Sequence, residues 1–518
     1  MREKQRNELH KTIWAIATKL RGKVTGWDFK AYVLISLFYR FISEDITSYI
    51  RTQESQDFDY TSLDDATAQN AKEALVKAKG YFIAPRELFS KLVDKIKNNS
   101  TFAQNELNQE LKRIFRAIED SAIGVNERNF KSLFDDFRFD NKALGDTVIN
   151  QNKKIAEILL AIDELDFGDI KEGSIDLFGD AYEYLMRMYA SDAGKSGGEY
   201  FTPQEVSKLL ALIASHNQKE VNKVYDPACG SGSLLLQVAK IVGEPNISKG
   251  FFGQETEPTT YNLCRMNLLL HGIDYNKIFI AHGDTLTNPE PSHKANEPFD
   301  IIVSNPPYST KWEGDDNAEL MRDVRFTPAG ALAPKSKSDL AFVMHILSWL
   351  SPKGAAAIVE FPGVLYRSGA EATIRKYLAR ENYIDCIIQL PENLFYGVTI
   401  ATCIIVLKKN KSDAKTLFIN ASEFFVKATN KNKLSDENIT QILELYSKRE
   451  NVPHLSALID NRDILANEAN LSVSSYVEAK DTREVVDIKA LNNEILEIVA
   501  KQNALRQKID LIVTDLES

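Results

Sequence analysis

The 518-residue chain has only four cysteines, Cys229, Cys264, Cys386 and Cys403, and no CxxC pair among them. That excludes a disulfide framework and a thiolate zinc site, so no metal is expected and the thiols read as reduced core or near-core residues. Also missing is any apolar run near the roughly 20 residues that cross a bilayer. The start, Met1-Arg2-Glu3-Lys4, opens on charge and not on a signal segment. A cytoplasmic chain with no membrane partner is the expectation. Positive charge is scarce: 63 Lys+Arg against 73 Asp+Glu leave a net charge of −10. Nucleic-acid affinity draws heavily on neutralising phosphates with basic side chains. A chain this acidic is a poor stand-alone reader of DNA sequence, even with a local basic cleft.

What is present is a globular composition, 44% hydrophobic and 26% charged. At about 150 residues per domain the length suggests three domains. Residues 1–165 read as an all-helical N-terminal domain. Within 27–44, Phe29, Tyr32, Val33, Leu37, Phe38, Phe41 and Ile42 recur at helical spacing and define one buried face. Polar stretches near 52–70 and 96–108 are connections, and helices are expected at 152–165 and 175–191.

From about residue 200 the pattern alternates. Short β-branched or aromatic runs at 223–226, 251–255, 277–281, 299–304, 354–361, 383–389 and 400–408 predict strands, with helices at 203–215, 232–243, 258–271, 338–350 and 369–380. Such alternation predicts an α/β domain over 166–420, with a mostly parallel, Rossmann-like sheet covered on both faces. The short connection 391–399 suits an antiparallel hairpin at the sheet edge. Residues 309–337 form an unusually long loop, of the kind that is functional or disordered. A connecting region spans 421–480. Over 481–518, Ile488, Leu491, Ile495, Ile498, Gln502, Leu505, Ile509, Ile512 and Leu516 follow a heptad spacing with one polar position. That helix either lies on its own domain or forms a coiled coil with a partner.

Three acids stand at successive expected strand ends. Asp226 opens Asp226-Pro227-Ala228-Cys229-Gly230-Ser231-Gly232-Ser233, a tight glycine-rich turn into a helix. The turn is neither the dinucleotide GxGxxG nor a P-loop with its Lys-Ser/Thr. Its glycines let backbone approach a ligand beyond the strand ends, and Asp226 suits an ammonium such as that of a methionine moiety. Glu255 is placed to accept both ribose hydroxyls of an adenosine. Asp284 is placed to accept from that adenosine's amino group. Alone, each acid is a turn or cap residue; the ordered set is a cofactor site. Upstream, Gly197-Gly198-Glu199-Tyr200-Phe201-Thr202-Pro203-Gln204-Glu205 contains a helix start, with Thr202 as N-cap, Pro203 first in the helix and Glu205 completing a capping box. Its glycines and aromatics suit one wall of the cofactor pocket.

The strand 299–304 delivers Asn305-Pro306-Pro307-Tyr308. Two prolines make a stiff turn with outward carbonyls. An aromatic amine is a poor nucleophile, because its lone pair is delocalised. Accepting both its hydrogens, on the Asn305 side-chain oxygen and the Pro306 carbonyl, favours a pyramidal nitrogen and stabilises the charge that develops on it. Tyr308 suits stacking on the target base, with Phe395 or else Tyr396 on the opposite face, unless Phe395 is simply core.

These motifs, in this order, resemble the amino-methyltransferases of the gamma arrangement. More specifically, the chain is similar to the modification subunit of a type I restriction–modification system. The similarity extends to Leu20-Arg21-Gly22-Lys23-Val24-Thr25-Gly26-Trp27-Asp28-Phe29-Lys30 and to Leu471-Ser472-Val473-Ser474-Ser475-Tyr476-Val477. The resemblance implies an S-adenosylmethionine-dependent methyltransferase domain that methylates N6 of adenine in double-stranded DNA. It implies cofactor contacts from 199–204, from Ser231-Gly232-Ser233 and from Glu255. It also implies assembly with a second modification subunit, a DNA-specificity subunit and restriction subunits. Cys229 departs from the family pattern, where a small non-thiol residue is more usual. No recognition domain fits after the last expected strand, which agrees with the acidic charge. The Asn-Pro-Pro-Tyr turn also serves enzymes that act on glutamine amides, guanine or cytosine N4, and a non-catalytic clamp for a nuclease is a further alternative.

Overall fold

The computed structural model describes residues 9–14, 26–54, 58–124, 127–167, 175–192, 202–218, 220–294, 297–429, 431–480 and 487–517. Residues Met1–Val477 form one compact unit and Glu478–Ser518 a second.

The helical region is built around α1 (Gly26–Gln53). Its expected apolar face is buried: Tyr32, Val33, Leu37, Phe38, Phe41 and Ile42 are all within the core. The Phe29 side chain lies outside the described residues. Tyr39 meets Phe89 and Phe115 edge-on, each at 5.5 Å between ring centroids. The second and third long helices here are α2 (Leu107–Ser121) and α3 (Val148–Asp163), followed by α4 (Ile175–Asp192).

The remainder of this unit is a sheet with helices: α5 (Gln204–Ala214), β1 (Val221–Asp226), α6 (Ser233–Val242), β2 (Ile247–Glu255), α7 (Pro258–Leu270), β3 (Ile278–His282), β4 (Phe299–Ser304), α8 (Asp339–Trp349), β5 (Leu350–Glu360), α9 (Ala370–Arg380), β6 (Ile384–Gln389), β7 (Cys403–Lys408), β8 (Lys415–Asn420), α10 (Asp436–Lys448) and β9 (Ser456–Asp460). The helical region docks on α7. Arg265, fully buried there, donates to the carbonyls of Arg128 at 2.9 Å and Lys131 at 3.0 Å. Asn129 Nδ2 donates to the Tyr275 carbonyl at 2.7 Å. A buried guanidinium is tolerated only when hydrogen-bonded, so these bonds fix the junction's geometry.

The strand order is β9-β8-β6-β7-β5-β4-β1-β2-β3. β1 pairs in parallel with both β2 and β4, and β4 with β5. The chain moves outward from β1 to β3, then returns to start β4 on the other flank of β1. That reversal opens a crevice at the carboxyl ends of β1 and β4, the place where open α/β sheets bind ligands. β4 is buried along its whole length, as a central strand covered on both faces must be.

Two expectations need correction. The 391–399 connection does join antiparallel strands, β6 and β7, but not at the sheet edge. β7 is inserted between β5 and β6, and β8 and β9 continue beyond. The run Thr416-Leu417-Phe418-Ile419 is too short to stand out in sequence, yet it is wholly buried as β8. β9 pairs antiparallel with it from within 421–480. The second correction concerns Thr202: α5 begins at Gln204 with Pro203 as its N-cap, and no side-chain cap bond forms. The Thr202 hydroxyl is engaged elsewhere, as described below.

The second unit is dominated by α11 (Ile488–Glu517), a 30-residue helix. No residue of it is buried, so no element of its own unit covers the heptad stripe. Among the described residues, no helix is long and apolar enough to cross a membrane.

Candidate active site

A cavity of about 290 Å³ occupies the crevice, at the small end of the range for small-molecule sites. Its lining brings together Thr202, Asp226, Gly230, Ser231, Ser233, Glu255, Asp284, Asn305 and Pro307. All of these were expected from sequence as cofactor or catalytic residues.

The cofactor side is set by the turn after β1. Gly230 and Gly232 both take left-handed backbone, at φ 52° and 78°, which disfavours any residue with a Cβ. Gly232 does not line the cavity; a Cβ there would stand 2.9 Å from Cys264 Sγ. Cys229 packs in the same place, 3.8 Å from Cys264 Sγ, with Gly253 leaving room for it. The unusual thiol is therefore accommodated by small neighbours. All four cysteines are free and buried.

Asp226 is fully buried. Its Oδ1 accepts from the Ala228 N–H and the Ser304 hydroxyl, both at 3.1 Å. Its Oδ2 is buried without a hydrogen-bond partner. Burial pushes its carboxyl up to about 7, the Ala228 and Ser304 bonds oppose this, and Glu255 adds to it. A buried unpaired acceptor costs about 1–3 kcal/mol, so the site is built for a cationic or donating ligand. Glu255 accepts from the Gly230 N–H at 3.0 Å on Oε2 and from the Glu257 N–H at 2.9 Å on Oε1. Burial raises its carboxyl, and those backbone donors pull it back. Each carboxylate oxygen keeps a second lone pair, enough for two ribose hydroxyls. Asp284, exposed after β3, accepts from the Leu286 N–H at 2.8 Å.

On the target side, Asn305 Nδ2 donates to Thr202 Oγ1 at 3.0 Å, and the Tyr308 hydroxyl donates to Asn305 Oδ1. The amide thus turns its nitrogen toward Thr202 and its oxygen toward Tyr308. Burial raises the Tyr308 hydroxyl well above its usual range, with Glu360, Cys403 and Asp339 adding to the effect. Phe395 is buried and meets Tyr308 edge-on, at 6.4 Å and 85° between rings. Pro306 is buried, and neither it nor Tyr308 and Phe395 lines the cavity. Gln204 donates to Glu183 of α4, and Pro203 caps α5; neither reaches the cavity. Glu199, Tyr200 and Phe201 lie outside the described residues.

Several site residues carry no sequence signal. Lys311, Trp312 and Phe342 line the cavity, and Lys311 is the only basic side chain among its described lining. Glu360, at the carboxyl end of β5 next to the Asn305–Tyr308 turn, is fully buried with neither carboxylate oxygen hydrogen-bonded. Burial pushes its carboxyl well up, and Asp339 adds to this. A lone Glu at a strand end looks like any turn residue in sequence.

Comparison with known proteins agrees with this geometry. The family described as N-6 DNA Methylase matches residues 173–485, and the HsdM N-terminal domain matches 9–162. The chain is 47% identical to the type I restriction enzyme MpnII methylase subunit of Mycoplasma pneumoniae, over 100% of this chain and 97% of that one. It is 32% identical to the MjaVIII methylase subunit of Methanocaldococcus jannaschii over 71% of this chain and 64% of that one. The crystal structure of a type I restriction-modification system methyltransferase subunit from Streptococcus thermophilus superposes with a TM-score of 0.82 at 34% identity, covering 91% of this chain and 100% of that one. With both domains matched in order and the likeness running the whole length, the chain belongs to the methylase (modification) subunits of type I restriction enzymes, within the N-6 DNA methylase family.

Proposed function

We propose that the chain transfers a methyl group from S-adenosylmethionine to N6 of adenine in double-stranded DNA. The observation that carries this reading is one cavity faced by both Asp226 and Asn305, from the adjacent strands β1 and β4. The cavity fits the cofactor. The unpartnered Oδ2 of Asp226 suits its ammonium, Glu255 its ribose, Asp284 its adenine amine, and the left-handed Gly230 turn its close approach. When bound there, the cofactor supplies an electrophilic sulfonium methyl.

The chain's own residues do the rest. Thr202 holds the Asn305 amide so that Oδ1 is presented. That oxygen, with the Pro306 carbonyl, accepts the two amine hydrogens and stabilises the positive charge growing on nitrogen. The Tyr308 hydroxyl gives up its bond to Oδ1 as the amine takes that place, and its ring stacks on the extruded base. Phe395, buried in the core, backs the Tyr308 ring edge-on. The developing proton leaves to solvent, and no base is required.

The same reading assigns 1–165 as the helical domain, 166–420 as the methyltransferase domain, 421–480 as a connecting region and 481–518 as the partner helix. Double-stranded DNA is read through a DNA-specificity subunit, alongside a second modification subunit, and restriction subunits complete the nuclease. The chain's net charge of −10 and the uncovered heptad stripe of α11 support this dependence. Mass spectrometry of DNA from cells carrying the chain should show N6-methyladenine, lost in Asn305→Ala while cofactor affinity stays within about threefold. Methylation of cytosine N4 or of protein glutamine instead, or transfer at wild-type rate by Asn305→Ala, would refute the reading.

A further inference from the structure

The segment 309–337, an unusually long loop in sequence, is folded onto the crevice. It makes three short 3₁₀ turns, Gly314–Asp316, Leu320–Arg322 and Thr327–Ala329. Its beginning and end are tied together: the Trp312 N–H donates to the Lys335 carbonyl and the Ser338 N–H to the Thr310 carbonyl, at 3.0 and 2.9 Å. The Trp312 indole N–H donates to the Pro334 carbonyl at 3.1 Å, and its ring packs edge-on against Phe326 at 5.5 Å. So held, the half-buried Trp312 lines the same cavity as Asp226, Glu255 and Asp284.

Arg325 anchors this segment. It is nearly fully buried and uses all five of its N–H donors. Two go to Asp323 Oδ2, at 2.9 and 2.6 Å. One meets His345 Nδ1 at 3.0 Å. The other two go to the carbonyls of Thr285 and Leu286, at 2.9 and 2.7 Å. Those carbonyls belong to the turn that carries Asp284, which is itself bonded to the Leu286 N–H. A fully satisfied guanidinium in a buried site is rigid, and losing it would orphan two backbone acceptors.

We propose that 309–337 is the adenosine-side wall of the cofactor site. Trp312 is a binding residue that packs on the nucleoside half of the cofactor, and Arg325 is a positioning residue that holds the Asp284 turn against it. The inference rests on the reading of the cavity as an S-adenosylmethionine site. It assigns the segment to the cofactor and not to a cover over the extruded base. The chemistry recognised is a purine nucleoside, so 5′-methylthioadenosine, which lacks the amino acid, is the probe of choice.

The test is tryptophan fluorescence of the full chain titrated with 5′-methylthioadenosine and with S-adenosylmethionine, without DNA. The chain has four tryptophans, and Trp349 is buried in the core. Both ligands should quench the wild-type signal, and Trp312→Phe should remove that quench while thermal stability is retained. By calorimetry, Trp312→Ala should weaken both ligands by about tenfold, the scale of a lost aromatic contact. Arg325→Lys should weaken both ligands too, with the circular-dichroism spectrum unchanged. A quench that persists in Trp312→Phe, or one that appears only on adding duplex DNA, overturns the proposal. So does an unchanged affinity in Trp312→Ala. Failure of the unaltered chain to bind either nucleoside would overturn the cofactor reading itself, and the inference with it.

Discussion

Asp226 makes cofactor affinity depend on pH in a way that can be calculated. In the free protein its carboxyl is pushed up to about 7 by burial. An ammonium at the unpartnered Oδ2 favours the ionised form, so binding at lower pH must first remove a proton. The apparent Kd then scales as 1 + 10^(pKa − pH), which weakens binding by about 15-fold between pH 7.0 and 5.5, or ~1.6 kcal/mol. Glu255 is also raised by burial and meets the ribose, so part of any slope belongs to it. The ratio of Kd values for S-adenosylmethionine and 5′-methylthioadenosine cancels that part, because only the former carries the ammonium. Calorimetry of both ligands from pH 5.5 to 7.0 should show this ratio rising toward the calculated factor as pH falls. Asp226→Asn should flatten it. The window stays below the ordinary range of an α-amino group, about 7.7–8.0, so the ligand itself remains charged throughout. A ratio that is flat in the wild type would refute the argument, since a carboxyl near its ordinary value predicts less than about a twofold change over the same interval.

Other consequences follow from single contacts. Thr202→Val removes the acceptor that orients Asn305 but no helix cap, so kcat should fall about 2–10-fold, as for one ordinary hydrogen bond, with thermal stability unchanged; a lower Tm with kcat intact would show that Thr202 serves the helix. Tyr308→Phe deletes the hydroxyl that occupies Asn305 Oδ1 while keeping the ring, so single-turnover transfer should stay within about threefold. Tyr308→Ala should weaken binding of the target base by ~1–3 kcal/mol, read from the fluorescence of 2-aminopurine at the target position. Glu360 has a raised carboxyl in the fold, so the folded state holds a proton that the unfolded chain has lost, and stability falls as pH rises above the ordinary Glu range. Glu360→Gln lacks this penalty: its Tm should exceed that of the wild type at pH 8 by more than at pH 5, and a constant difference would refute the buried-acid account.

The parts of this molecule that could be read from sequence are those where one residue's chemistry is sufficient. Asp226, Glu255 and Asp284 follow strands whose apolar runs are plain, and Asn305 is framed by two prolines; each expected strand from β1 to β7 is present with ends shifted by a few residues. What escaped was pairwise. β8 and β9 are short, and their place in the sheet depends on each other and on β6, not on their own composition. The segment 309–337 looked like a long loop because its order comes from Arg325, three of whose five bonds reach into a turn and a helix distant in sequence. Thr202 is the sharpest case. Ser or Thr before Pro and an acid three residues on is the signature of a capping box, and local rules assign the hydroxyl to the helix. Yet in the fold that hydroxyl accepts from the Asn305 amide, 103 positions away, and not from the helix. Here α5 starts one residue later than the local rule expects, with Pro203 at the N-cap, so Thr202 stands outside the capping position. The contact instead holds Asn305, the side chain proposed to accept the target amine, and only the fold brings those two residues together.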